Sequence, residues 1–140
     1  MKFVGNRFNK ILVERFNQEG ELILGGINSN AITKEIKELN SNKTSSVISF
    51  VFDYTVKYGL KDSEENFASM DLSGEAFFEL DKKAASKLIN DFKEKKATNT
   101  DEFISGLQVI LNLSQIESVV LARQMNLPAP INLGKVSKKE

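Results

Sequence analysis

The sequence predicts an α+β fold, an antiparallel β-sheet with a long central hairpin followed by two C-terminal helices packed on one face. Three observations predict it. Ile48, Phe50, Phe52, Tyr54, Val56 and Tyr58 alternate with Val47, Ser49, Val51, Asp53, Thr55 and Lys57, a period of two over more than ten residues. After the polar loop Gly59–Glu65, a second run repeats the pattern, with Ala68, Met70, Leu72, Gly74, Ala76, Phe78 and Leu80 on one side. Behind Asp81 the apolar period changes to that of a helix.

Two long strands joined by a short loop pair as an antiparallel hairpin with one face in and one face out. The outward face then carries Phe67, Ser69, Asp71, Ser73, Glu75, Phe77 and Glu79, beside Val47 and Val51. Upstream, Phe8–Phe16 reads as a strand, Asn17-Gln18-Glu19-Gly20 as a turn, and Glu21–Leu24 as a short second strand. Between Asn30 and Leu39 the apolar residues Ile32, Ile36 and Leu39 recur at helical spacing, so a short helix is expected there.

Asp81 can cap a helix with its carboxylate. Ala85, Leu88, Ile89 and Phe92 follow at i, i+3, i+4 and i+7, with Lys93, Lys95 and Lys96 near the end where cations suit the helix dipole. Thr100 caps a second helix running to about Met125, with Asp101 and Glu102 in its first turn. That helix carries two apolar stripes. One is Phe103, Leu107, Ile110, Leu111, Leu121, Ala122 and Met125; the other is Val109, Leu113, Ile116 and Val120. One stripe suits the sheet and the other needs a partner, so a homo-oligomer is expected. Pro128 and Pro130 end the helix and extend the chain.

At 140 residues the chain fits a single domain, 1–140, with flexible ends at 1–7 and 134–140. Nineteen basic residues balance nineteen acidic ones, which speaks against a nucleic-acid binder relying on a basic surface. The chain has no Cys and no His. Zinc sites, disulfides and imidazole or thiol catalysis are thereby excluded. No metal and no cofactor is called for. The N-terminus lacks an apolar signal core and no run reaches membrane-spanning length in apolar residues, so no membrane insertion is expected and a cytoplasmic location is.

The outward face poses the functional question. Asp53, Asp71, Glu75 and Glu79 could serve a carboxylate hydrolase, but no Gly-rich loop or other motif supports catalysis, and a solvated face explains them. Phe67, Phe77, Val47 and Val51 on the same face form an apolar patch unless the Phe8–Leu24 region covers them. The Lys93-Glu94-Lys95-Lys96 run suits a solvated helix end or an acidic partner.

Strands, then a helix pair, then a proline-containing tail resemble the SecB family of holding chaperones. Gly74-Glu75-Ala76-Phe77 resembles, with one extra residue, the family's Gly-x-Phe near the last strand's end. Pro130-Ile131-Asn132-Leu133 matches its Pro-Ile/Val-Asn-apolar segment, and Leu127-Pro128-Ala129-Pro130-Ile131 resembles the ending of small archaeal proteins with SecB-like folds. The resemblance spans about Ser46–Leu133. It implies a non-enzymatic, ATP-independent chaperone, a dimer or tetramer that binds unfolded or partner polypeptides on apolar surface. Val51, Phe67 and Phe77, with Met125 and Leu127 near the last helix end, are the expected client-binding residues. The chain departs from the family in its shorter segment before Pro130, its extra N-terminal β segment and its neutral charge. Bacterial members use an acidic surface to dock on the export motor. The alternative reading is a non-enzymatic assembly subunit that docks one folded partner.

Overall fold

A computed structural model describes residues 1–16, 23–95 and 100–130. Four strands, β1 (Lys2–Arg15), β2 (Leu24–Ser41), β3 (Ser45–Leu60) and β4 (Asn66–Asp81), precede two helices, α1 (Lys82–Lys93) and α2 (Asp101–Gln124). The sheet is antiparallel throughout, in the order β1-β4-β3-β2, with both helices on one face. The predicted class and the central β3–β4 hairpin hold.

Two expectations fail at the N-terminal end. Residues 2–7 are part of β1 and pair with β4 from Lys2 opposite Glu79 onward, so they are no loose end. The helix expected over Asn30–Leu39 is the middle of β2, an 18-residue strand. Bulges at Lys34 and Leu39 break its period of two, and the accidental spacing of Ile32, Ile36 and Leu39 imitates a helix face. Pairing with β3 decides the matter: Ile36 is buried opposite Phe50, whereas Ile32 is exposed on the other side. The turn expected at 17–20, residues 21–22 of the expected short strand, the connector 97–99 and the tail from Ile131 lie outside the described residues.

The β2–β3 turn is local chemistry. Asn42 Oδ1 accepts from the backbone N–H groups of Thr44 (2.9 Å) and Ser45 (2.8 Å), an Asx-type turn. Asp81 caps α1 by accepting from Ala84 N–H, and Thr100 caps α2 by accepting from Phe103 N–H. Both caps were legible in the sequence.

The core under the helices divides in two. Phe50, Phe52, Phe78 and Leu88 form one cluster, with Phe92 and Leu107 at its margin. Its aromatic chain runs Phe78–Phe50–Phe103–Phe92, with ring centroids 5.1, 6.2 and 6.0 Å apart. It ties both helices to β3 and β4. Leu72 belongs to a second cluster with Tyr54, Val56, Tyr58 and Met70, on which Leu111 packs. Gly74 leaves room for β1: a Cβ there would strike the backbone carbonyl of Arg7. Opposite Gly74, Phe8 packs edge-on against Phe52 at 6.1 Å.

Helix α2 meets the sheet through small residues. Its buried positions are Phe103, Gly106, Ile110, Ser114, Ser118 and Ala122, five of them four residues apart. Gly106 sits directly on the Phe50 ring, where any Cβ would collide. Of the stripe Val109, Leu113, Ile116 and Val120, Val109 packs at the margin of the first cluster and the last two turn outward. Val109 and Leu113 are half-buried, while Ile116 is 66% and Val120 48% exposed.

Candidate functional site

The five residues expected to bind clients do not share one surface. Val51 and Phe77 lie on the sheet face away from the helices, half-buried, on neighbouring strands and two residues apart in register. Phe67 does not join them. Tyr58 pairs with Ala68 and Gly59 with Asn66, so Phe67 is the extra residue of a bulge. A bulge turns two consecutive side chains toward one side, and Phe67 enters the second core cluster, 6% exposed and 5.9 Å from the Tyr58 ring. Leu127, 8% exposed, is in the same cluster and Met125 packs at its margin. These three residues therefore gather at the α2 end of the core, on the opposite side of the sheet from Val51 and Phe77.

The tail beyond α2 is anchored there. Tyr58 Oη donates to the Pro128 carbonyl at 2.7 Å, and Arg15 donates to the carbonyls of Met125 (2.9 Å) and Asn126 (3.2 Å). Burial, with Tyr54 adding to it, pushes the Tyr58 hydroxyl up from 10.0 to about 12.

Neither β1 nor β2 lies over the outer sheet face. Each extends the sheet at an edge. What closes the centre of that face is a row of ionic groups. Glu75 of β4 is 3% exposed, yet no second layer covers it among the described residues. Arg7 of β1 reaches it through Nε (2.8 Å) and Nη2 (2.6 Å), Ser49 of β3 donates at 3.0 Å, and Lys37 of β2 approaches to 3.4 Å. All four strands contribute. Burial alone would push the Glu75 carboxyl up, but the hydrogen bonds from Arg7 and Ser49, the Arg7 charge and Lys37 outweigh it and hold it below the ordinary carboxylate value. Arg7 also lies over the Phe77 ring, 5.9 Å from its centroid. A second row joins Lys34, Asp53 and Ser73, with Ser73 donating to Asp53 at 2.6 Å and Lys34 at 3.5 Å. Asp53 and Glu75 each sit beside a lysine and accept a serine proton. Asp71 and Glu79 project from the same face. No cluster of three or more His, Cys, Asp or Glu fit to hold a metal occurs among the described residues.

Apolar surface lies instead on the helix side. Helix α2 is long and apolar enough by composition to cross a membrane, and most of its apolar stretch is not buried in the protein. The helix turns Gly106, Ser114 and Ser118 inward and Ile116 and Val120 outward, with Leu113 half-buried between. A second feature escaped sequence reasoning altogether. Between β2 and α1 opens a cleft of about 780 Å³, floored by Ile36, Ile89 and Phe92. Ile36 and Phe92 stand far apart in the chain, and no local pattern brings them together.

No protein-family model matches the sequence, and no curated protein matches it. A solved structure does match in three dimensions. It is the SecB-like chaperone Rv1957 of Mycobacterium tuberculosis, in complex with a ChAD peptide from the Rv1956 HigA1 antitoxin. The alignment covers 99% of this chain and 92% of that one, with a TM-score of 0.51 and 11% sequence identity. The fold is SecB-like. At this identity the likeness is one of fold alone.

Proposed function

We propose that this chain is an ATP-independent holding chaperone of the cytoplasm that binds unfolded or partner polypeptides on apolar surface and works as a homo-oligomer. The observation that carries the reading is the outward-facing side of α2. A helix that places glycine and serine against its own sheet and Ile116 and Val120 outward has apolar surface meant for something besides its own core. Weak, non-directional apolar contact tolerates many client sequences, as a holding chaperone requires. The SecB-like architecture, found in a chaperone solved with a bound peptide, supports the reading.

The stripe Val109, Leu113, Ile116 and Val120 has the 4-3-4 spacing of a helix-pairing seam. It suits a two-fold contact between copies, the commonest oligomer symmetry. Among the residues first expected to bind clients, Val51 and Phe77 on the outer face and Met125 at the core margin keep access to solvent. Phe67 and Leu127 belong to the core. The test is suppression of aggregation of several unrelated unfolding proteins without ATP. Protection at near-stoichiometric ratios is expected, and its absence for every client sinks the chaperone reading.

One observation favours the alternative, an assembly subunit with one folded partner. The outer sheet face is set with fixed ion pairs across four strands, a charge pattern able to select a single complementary surface. That reading expects no protection of unfolded proteins and capture of one folded partner, lost on charge reversal of Arg7 and Lys37.

A further inference from the structure

The core under the helices is split, and the split is polar. Along β3 the boundary between the two apolar clusters falls between Phe52 and Tyr54, and along α2 between Ile110 and Ala122. Phe8 and Ala31 pack against both clusters. Among the described residues three buried side-chain oxygens have no hydrogen-bond partner, Thr33 Oγ1, Tyr54 Oη and Ser114 Oγ. Tyr54 stands at the boundary in β3, and Ser114 stands inside the gap in α2.

Strand and helix bring those two to one level. Gly106 of α2 sits on the Phe50 ring, and just past the other end of the helix the Pro128 carbonyl accepts from Tyr58. Helix α2 therefore runs in the same direction as β3 across the buried face. From Gly106 to Ser114 the helix advances ~12 Å, at about 1.5 Å per residue. From Phe50 to Tyr54 the strand advances ~13 Å, at about 3.3 Å per residue. Ser114 is thus level with Tyr54, and both side chains are fully buried.

The neighbouring hydroxyls are satisfied. Tyr58, the chain's other tyrosine, donates to Pro128. Ser118, one turn further along the buried face of α2, donates to the Gln115 carbonyl at 2.8 Å. A buried serine of a helix commonly turns to its own backbone in this way, but Ser114 does not. A buried hydroxyl without a partner is costly, and nearly all such groups are paired with protein or with ordered water. Thr33 lies opposite Phe52 on β2, hence diagonal to Tyr54 on the same face of the sheet. Between Thr33 and Tyr54 the β2 side chain is the small Ala31. Three polar groups around one point are the usual surroundings of an internal water.

We infer that Tyr54 Oη and Ser114 Oγ hold one internal water molecule between β3 and α2, with Thr33 Oγ1 on its third side. Water fits this set because each hydroxyl both donates and accepts, as water does. A purely apolar or purely accepting ligand would leave at least one of the three unpaired. The site is independent of the function proposed above.

The experiment counts long-lived internal waters by magnetic relaxation dispersion of the solvent oxygen, in the full chain and in the double variant Tyr54→Phe with Ser114→Ala. Neither change alters the packing volume by more than an oxygen, and alanine is the better helix former. Waters held elsewhere cancel in the difference. The count should fall by one, in the double variant and in the isosteric Tyr54→Phe alone. An unchanged count overturns the site. Denaturant melts read the same contact by sign. With the water in place, Tyr54→Phe should lower the folding equilibrium constant about fivefold, the worth of one buried hydrogen bond. In the Ser114→Ala background the same change should cost less, because the water has already lost a partner. A Tyr54→Phe variant more stable than the wild type means that the hydroxyl is unpartnered, and the inference fails. Coupling between the two positions with an unchanged count means that Tyr54 and Ser114 bond each other directly, and the inference fails again.

Discussion

On the helix side of the sheet, Phe50, Phe52, Tyr54, Val56 and Tyr58 are all shut off from water, pressed under α1 and α2. On the other side Glu75 is nearly as deeply buried, with no layer above it among the described residues, because Arg7, Lys37 and Ser49 close over it within the plane of the sheet. The same β3 and β4 residues alternate between these faces. One is sealed by packing, which depends on shape and volume. The other is sealed by long cationic side chains from the two edge strands, whose alkyl stems cover what their charges neutralise. The difference predicts that the helix side tolerates little change in volume, and that the outer side responds to charge and pH.

The largest effect belongs to the packed side. Phe52 is fully buried and holds Phe8 edge-on over Gly74. Phe52→Ala should cost ~3–5 kcal/mol, much of the stability of a domain this size, in urea or thermal melts. A loss below ~1 kcal/mol would mean that this side is loosely packed and the contrast between faces is false.

Glu75→Gln probes the ionic side. It keeps an acceptor for Ser49 but removes the charge that Arg7 and Lys37 neutralise, and those two side chains are 66% and 44% exposed, so water takes over part of the lost interaction. A loss of about 1–2 kcal/mol at neutral pH is expected, below the cost of breaking a fully buried pair. The sign with pH follows from the lowered folded-state pKa. The stabilisation is complete above the ordinary value of 4.5 and is lost as pH falls through the lower folded value. Wild type and Glu75→Gln should therefore converge in acid. Parallel pH profiles down to the acid transition would show that the row is ornamental.

How much of this was legible in the sequence differs between the same regions. β3 and β4 are central strands, buried enough for a period of two to survive, and both were readable from Ser46 to Leu80. β2 is an edge strand, and its bulges at Lys34 and Leu39 shift side chains between faces, so its apolar residues fell by chance at helical spacing. Phe67 was misplaced for the same reason, one bulge at Tyr58/Gly59 sending it inward. In α2 the large apolar residues of the buried face, Phe103, Ile110 and Ala122, were legible as a stripe, but Gly106, Ser114 and Ser118 between them carry no hydrophobic signal. Their place in a series of every fourth residue with Ile110 and Ala122 was the available clue. The Arg7–Glu75–Ser49–Lys37 row and the cleft over Ile36 join residues distant in sequence, and only the sheet order reveals them.

A smaller effect tests where the helix side ends. Tyr58 is fully buried but hands its hydroxyl proton to the Pro128 carbonyl, pinning the chain after α2. Tyr58→Phe should cost about 1 kcal/mol, the net worth of one hydrogen bond. Because the folded-state pKa is raised to about 12, the neutral hydroxyl's contribution is present below 10.0 and is lost as pH rises from there through about 12. The wild type should thus lose its margin over Tyr58→Phe in alkali, the mirror of the acid behaviour expected at Glu75. Identical alkaline melts would place the Tyr58 hydroxyl in water.

The smallest effect on folding is expected at the surface that neither packing nor ion pairs close. Ile116 is the most exposed large apolar side chain of α2, and with Val120 it continues the seam begun by Val109 and Leu113. In an isolated chain, Ile116→Lys replaces a solvated isoleucine with a solvated lysine of equal or better helix propensity, so stability should change by less than ~0.5 kcal/mol. In an oligomer paired along α2, the same change places two ammonium groups near a two-fold axis, each stripped of water without a partner. Light scattering at micromolar concentration should then fall from an oligomeric mass toward the 15.7 kDa of a single chain. Val120→Lys should do the same and Glu102→Lys, outside the seam, should not. If the wild type is already a monomer, α2 is open to clients along its whole length. Ile116→Lys should then weaken protection of unfolding proteins instead of assembly. If the mass and the protection are both unchanged, the outward stripe of α2 has no partner of either kind.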